Sequence, residues 1–398
     1  MINLRLRQAR LAADLTQSQV IERLERIGVG LTKGGLSKCE NGRNVPPPQL
    51  LIKLAQVLGV APKYFMEEPT VDIQWLAFRK HYTLGKKREQ GIKAVAQEVA
   101  ENQVWLQETL QAGLSVHFPA RRTAPALQDA EDAAAALRRQ WSLGELPIDS
   151  ITAAVEDHGG IVVECKGKEE EFGGLAGWVN GKYPLIVTSS SVSDERRRFS
   201  LARELGHLSL DPEGRGEDEQ EHWAHRFAAA FIVPAAAARM ELGMRRRRLS
   251  FEELLILKRK YGMSVKAWMR RALELDIIDA GHFRSLGAQL RRAERAWKEP
   301  PGLRGREHPT RLKQMTLRAL TEGLITPEKA QELCPGCVTE HPESENKQLN
   351  EILYLMNLPE DERDARLSEV ACELEESYRT DSELTAFEAL SDEDTPDE

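Results

Sequence analysis

What the sequence lacks narrows its class first. No run of apolar residues approaches the roughly eighteen that a membrane-spanning helix needs, so neither a membrane span nor a membrane partner is expected. Cysteine is scarce: five in 398 residues, an odd number scattered along the chain, which makes no disulfide framework. The opening residues carry Arg5, Arg7 and Arg10 inside a helical pattern and lack the apolar stretch of a secretory signal. Together these absences lead us to expect a cytoplasmic protein. What is present is ordinary for a soluble chain with real cores. It is 41% hydrophobic and 30% charged, at a length that suggests two or three domains.

The net charge of −8 conceals an uneven distribution. Residues 1–66 hold ten Lys or Arg against four acids, a balance of +6, whereas residues 340–398 hold twenty acids against four bases, or −16. A basic head with an acidic tail suggests that the head meets a polyanion, although solvated faces with no partner give the same count. The head also has pattern. Leu4, Leu6, Leu11 and Leu15 predict a first amphipathic helix, Thr16 is a good N-cap, and Gln17 opens a short helix through Val20 and Leu24. A glycine-bearing turn (Ile27–Gly30) precedes a third helix capped by Thr32 and stopped at Gly42. After Pro46–Pro48 a fourth helix places Leu51, Leu54, Ala55 and Leu58 on one face, with Gly59 as its stop. This is a compact bundle with a helix-turn-helix at its centre.

The stretches T-Q-x-x-V, L-S-K-x-E-N-G-R-x-x-P and L-x-x-L-A-x-x-L-G-V resemble the XRE (Cro/repressor-like) helix-turn-helix family over about residues 3–66. The resemblance implies double-stranded DNA as a partner. It places Gln17, at a helix N-terminus, on a phosphate. The start of the third helix (Thr32, Lys33, Gly34, Ser37 and Lys38) would face the major groove, with Asn41 and Arg43 near the backbone. Gly34-Gly35 leave that helix without side chains where repressors usually read bases, so modest base discrimination is expected. A helix-turn-helix used only for protein contacts is the alternative.

The middle of the chain is organised around Asp194–Pro234. Phe199, Ala202, Leu205 and Leu208 recur at helical spacing behind Ser193 and Asp194, which sit where an N-cap belongs. Within the helix, Arg203-Glu204-Leu205-Gly206-His207 is H-E-x-x-H with its first histidine replaced by arginine. In the intact motif two histidines four residues apart hold zinc, and the glutamate activates a bound water. A second helix follows from Glu221, with Trp223, Phe227 and Phe231 as a stripe and Pro234 as its end. The run R-x-F-S-L-A-x-E-L-G-H-L followed by A-H-R-F-A-A-A-F-I-V-P is similar to the ImmA/IrrE family of metallopeptidase domains. That resemblance implies Glu204 as the catalytic base, His207 as a zinc ligand, and a third ligand four residues before Phe227-Ala228, where this chain has Trp223. Arginine cannot give up its proton to offer a lone pair, and indole is no ligand. Two of three expected ligands are therefore missing. Glu221, His222 or His225 can in principle substitute, since Glu221 and His225 share a helix face. Arg203 can pair with Glu204 or with a second-helix carboxylate, or bind an anion in the cleft; the residues do not choose among these.

The remaining segments fill in the plan. Residues 72–124 read as a linking helical hairpin, with a dimer contact plausible there, and Phe118–Pro125 as a boundary. Ile161–Cys165, Leu175–Val179 and Pro184–Thr188 read as strands, the last two joined at Asn180-Gly181, a strong hairpin signal. Cys165 is most simply a core residue and His158 a helix-end residue. Arg245–Arg248 read as a solvated loop, with a second phosphate contact as the alternative. Glu252–Ile278 predict two helices split by Gly262. Cys334-Pro335-Gly336-Cys337 is a C-x-x-C with only His341 near it, weak for metal or redox chemistry. The tail after His341 carries a leucine stripe and an acidic end. It resembles the C-terminal ends of small antitoxin-type proteins, or else is a partly disordered appendage.

The expected fold is mainly α with a small β-sheet (α+β): an N-terminal helix-turn-helix bundle plus a zincin-like ImmA/IrrE domain. Expected boundaries are 1–66 for the DNA-binding head, 67–125 for a helical linker and 126–300 for the ImmA/IrrE-like domain. A helical extension follows at 301–340, and an acidic, partly helical tail at 341–398. Two functions compete. In one the chain is a homodimeric DNA-binding regulator whose degenerate metallopeptidase-like domain senses a signal or holds a partner, with no cofactor. In the other it is a zinc endopeptidase that cleaves a repressor-type protein. A variant of the first makes it the antitoxin or autorepressor of a toxin-type partner.

Overall fold

The structure is a computed structural model that describes residues 2–76, 85–110, 116–124, 126–166, 173–211, 214, 216–296 and 307–337. Residues up to Pro335 cluster as one unit; of the second, from Gly336 onward, only Gly336 and Cys337 are described. The acidic tail, its leucine stripe and His341 lie outside the described residues.

Four helices build the head: α1 (Ile2–Ala12), α2 (Gln17–Arg26), α3 (Lys33–Glu40) and α4 (Pro48–Leu58), followed by a 3-10 turn at Pro62–Phe65. Local chemistry fixes their ends. Thr16 and Gln19 form a reciprocal capping box on α2, the Thr32 hydroxyl accepts the Gly35 N–H at the start of α3, and left-handed Gly59 (φ +72°) ends α4. Leu6, Leu24, Leu36, Leu54 and Phe65 are fully buried between the helices. Leu4, expected on the apolar face, is 47% exposed. Arg5 and Arg10 are instead buried with Leu6 and Ala9, because both guanidiniums find carboxylates inside, and this turns Leu4 outward.

The rest of the unit runs β1 (Ile73–Trp75), α5 (Lys86–Thr109), β2 (Arg122–Thr123), α6 (Leu127–Gln140), α7 (Ile151–Asp157), β3 (Ile161–Cys165), β4 (Leu175–Val179) and β5 (Tyr183–Ser189). Then come α8 (Asp194–Ser209), β6 (Leu210–Asp211), α9 (Glu217–Ile232), α10 (Ala235–Leu242), α11 (Phe251–Tyr261), α12 (Val265–Glu274), α13 (Ala280–Ala296), α14 (Arg311–Thr321) and α15 (Pro327–Leu333). Four strands form one sheet in the order β1-β4-β5-β3; β3 and β5 are parallel, the other pairs antiparallel. Asn180 and Gly181 both have positive φ (53° and 64°), the two-residue hairpin turn that their sequence demands.

Strands β3 and β5 are buried along nearly their whole length, so both faces of the sheet need a cover. Helix α8 covers one, with Leu201 and Leu205 in the same core as Val162 and Ile186. Helix α5 covers the other, packing Ile92, Ala96, Ala100 and Val104 with Ile161, Val163, Leu185 and Val187. The stretch expected as a linking helical hairpin thus supplies the sheet with an edge strand, β1, and one covering helix. Farther on, α11 and α12 are split by left-handed Gly262 (φ +66°). Buried Glu131 on α6 binds Arg271 on α12 (2.8 Å to Nη2) and Arg226 on α9 (2.6 Å), locking three helices together.

Candidate functional site

The head presents one candidate surface. Thr32, Lys33, Gly34, Lys38, Asn41 and Arg43 are exposed along α3 and just beyond it, and Ser37 is half-buried among them. Asn41 Nδ2 donates to the Ser37 carbonyl at 2.8 Å, which ties down the end of α3. Gln17, at the start of α2, donates from Nε2 to Glu40 Oε2 at 2.8 Å, and Arg10 Nη2 donates to the same oxygen at 2.9 Å. The buried Arg10–Glu40 pair therefore aims the Gln17 amide. Nothing in the local pattern around Gln17 signalled that tie, because its partner lies on another helix.

The second candidate lies where α8 and α9 cross. Gly206 allows the close approach: a Cβ there would stand 3.1 Å from the Ala224 Cα and 3.2 Å from the Phe227 Cβ. From α8, Arg203 Nη2 donates to Glu204 Oε1 at 2.6 Å and Nε to the same oxygen at 3.2 Å. From α9, Glu221 Oε2 lies 3.9 Å from Arg203 Nη1, and Glu221 Oε1 lies 3.3 Å from His207 Nε2. Burial opposes the Arg203 charge, but Glu204 and Glu221 outweigh it and hold the guanidinium above its ordinary pKa. Gly173 and Gly174 close over the pair; a Cβ on Gly174 would come 2.6 Å from Glu204 Oε1. That Gly-Gly was a readable signal of close backbone approach.

Of the residues singled out from the sequence, Glu204, His207 and Glu221 converge here, joined by Arg203. His225 Nε2 is 3.7 Å from Glu221 but half exposed, and His222 is exposed. Trp223 is buried and lines an adjoining cavity. These residues do not fit a three-ligand zinc site. The guanidinium occupies the carboxylate that would act as base, and an arginine cannot replace the missing histidine as donor. Among the described residues no group of three His, Cys, Asp or Glu is disposed to hold a metal.

Other residues settle quietly. Burial pushes the Cys165 thiol up to about 12, and it stays protonated. His158 stacks on Trp141 at 4.6 Å. Arg245–Arg248 are exposed, and Arg246 pairs with Glu253. No helix among the described residues is long and apolar enough to cross a membrane.

Comparison with known families finds a match in each half of the described chain. Residues 4–63 match the profile of a helix-turn-helix domain, and residues 155–273 match that of the IrrE N-terminal-like domain. No curated protein matches the sequence. The chain therefore joins a helix-turn-helix domain to an IrrE N-terminal-like domain, as its motifs led us to expect.

Proposed function

We propose that the protein is a transcription regulator of the XRE type, a cytoplasmic homodimer, whose IrrE-like domain senses a signal or holds a protein partner without hydrolysing it. DNA binding is supported by the helix-turn-helix domain and by the exposed Lys33, Lys38 and Arg43 along α3. The observation that carries the non-catalytic reading is the 2.6 Å bond from Arg203 to Glu204. A guanidinium seated on the would-be base supplies positive charge where the peptidases place a metal, with no open coordination position for a water.

Elemental analysis of the purified chain tests this reading. Wild type is expected to carry far less than one zinc, and the Arg203→His, Trp223→Glu double variant about one per chain, the occupancy of an intact site. The peptidase alternative has one observation on its side: Glu221 stands 3.3 Å from His207, so two donors and Glu204 persist. About one zinc per wild-type chain, with cleavage of a repressor-type protein lost on Glu204→Gln, would favour it. For the head, Lys33→Ala is expected to weaken DNA binding and to reduce its salt slope by about one, as loss of a phosphate contact does. Gln17→Ala should also weaken binding, and unchanged affinity in both variants would sink this contact surface.

A further inference from the structure

Beside the Arg203–Glu204 pair lies a cavity of ≈ 360 Å³. Small-molecule sites run from about 300 to 1,000 Å³, so it suits a compact ligand. Leu76, just after β1, lines it with Leu210 of β6 and Trp223 of α9, while the Trp75 indole packs on the other face of the sheet against α5. Trp223 stands at the position where the metallopeptidase resemblance calls for a ligand, and here it makes an apolar wall instead. One indole and two leucines favour a flat aromatic group.

The rim carries both signs of charge. Arg121 donates from Nε and Nη2 to the Leu210 carbonyl at 3.2 and 2.9 Å, with Nη2 also 3.4 Å from the His207 carbonyl. Among the described residues nothing accepts from its Nη1, so the guanidinium is anchored with both Nη1 N–H groups left over. Asp211, held by the pairing of β6 with β2, also lines the cavity, and among the described residues its carboxylate takes part in no ion pair. An uncharged ligand would desolvate both groups without replacing their water. A simple acid would suit Arg121 and repel Asp211; a simple amine would do the reverse.

We propose that this cavity binds a free aromatic α-amino acid, its ring against the Trp223 indole and the Leu76 and Leu210 side chains, its carboxylate on Arg121 and its ammonium on Asp211. As the signal sensed by the domain, this ligand rests on the regulator reading above, whereas its binding is measured separately. The cavity wall is also the route to the head, because Leu76 directly follows β1, the strand after the head's last turn.

Titration calorimetry on the full chain tests the proposal with three probes. They are L-tryptophan, indole-3-propionate (no ammonium) and tryptamine (no carboxylate). L-Tryptophan is expected to bind about tenfold more tightly than either analogue. Asp211→Asn should erase its advantage over indole-3-propionate without weakening the binding of indole-3-propionate itself, which also reports an intact fold. Arg121→Gln should likewise erase the advantage over tryptamine and spare tryptamine. The site is overturned if L-tryptophan gives no heat up to about 1 mM, or if all three probes bind alike. It is also overturned if either variant weakens the three equally. L-Tryptophan binding that leaves DNA affinity unchanged would keep the site and sink the sensory role instead.

Discussion

Glu156 is almost wholly buried at the end of α7, yet its carboxylate accepts the backbone N–H groups of Thr310 (3.1 Å) and Arg311 (3.2 Å), where α14 begins. Burial pushes its pKa up from 4.5 to about 7, with those two N–H groups and the Arg311 charge pulling the other way. Between pH 4.5 and about 7 the folded chain keeps a proton that the unfolded chain has released. Stability therefore falls as pH rises through that window and levels off above it. The expected loss is on the order of 1–3 kcal/mol. Urea denaturation of wild type and Glu156→Gln at a series of pH values checks it: the difference between them should shrink with falling pH. A difference that stays constant from pH 5 to 8 would rule out Glu156 as the titrating group. Arg203 illustrates the opposite balance at the same scale. There the nearby carboxylates outweigh desolvation, and the charge is retained.

Among the elements, two glycines in helices contrast sharply. Gly206 on α8 faces the backbone of α9, so Gly206→Ala gains up to about 1 kcal/mol of helix propensity but costs about 1–3 kcal/mol in overpacking. A net loss is expected. Gly34 on α3 has nothing within 4 Å of the place a methyl group would take, so Gly34→Ala should stabilise the head by about 0.5–1 kcal/mol. Thermal unfolding of the two variants distinguishes them by sign. The elements themselves were largely legible where local chemistry decides: Thr16, Thr32, Ser193 and Ser250 cap helices, Gly59 and Gly262 end them, and Asn180-Gly181 turns the hairpin. Strand β1 was not. Three residues, Ile73-Gln74-Trp75, are too few for an alternation to show, and their partner strand lies about a hundred residues away. Of the candidate site, the motif gave Glu204 and His207. The approach of Glu221 and the contact of Arg203 depend on how α8 crosses α9, which periodicity does not specify. Arg121 and Leu76 arrive from distant segments with no motif to mark them.

At the scale of the whole molecule, the head is bolted to the IrrE-like domain rather than tethered to it. Helix α1 lies along α5, and Arg5 Nη1 reaches Glu101 at 2.8 Å with both side chains nearly buried. Arg5 also donates to the carbonyls of Glu67 and Glu68, at 3.0 and 2.8 Å, just after the head ends. Lys63 of the 3-10 turn adds a 3.2 Å pair with Glu332 on α15, but both groups are partly exposed and screened, so this pair counts for little. Removing Glu101 leaves the Arg5 charge buried without a carboxylate partner, against carbonyls, the Gln8 amide and the Tyr64 ring, and breaking a buried pair in this way costs about 3–5 kcal/mol. Because α5 also covers the sheet, the loss is expected to fall unevenly. The head should loosen from α5, while β3, β4 and β5 keep the cover that Ile92, Ala96 and Ala100 provide. Hydrogen exchange of wild type and Glu101→Ala resolves this. Amides of α1 to α4 should exchange faster in the variant while those of β3 and β5 hold. Equal loss in both regions would mean that head and sheet unfold as one cooperative body, and no change in either would mean that Arg5–Glu101 does not fasten them. If the head alone loosens, the same contact is a place where a ligand acting through β1 or α5 can alter how the helix-turn-helix is presented to DNA.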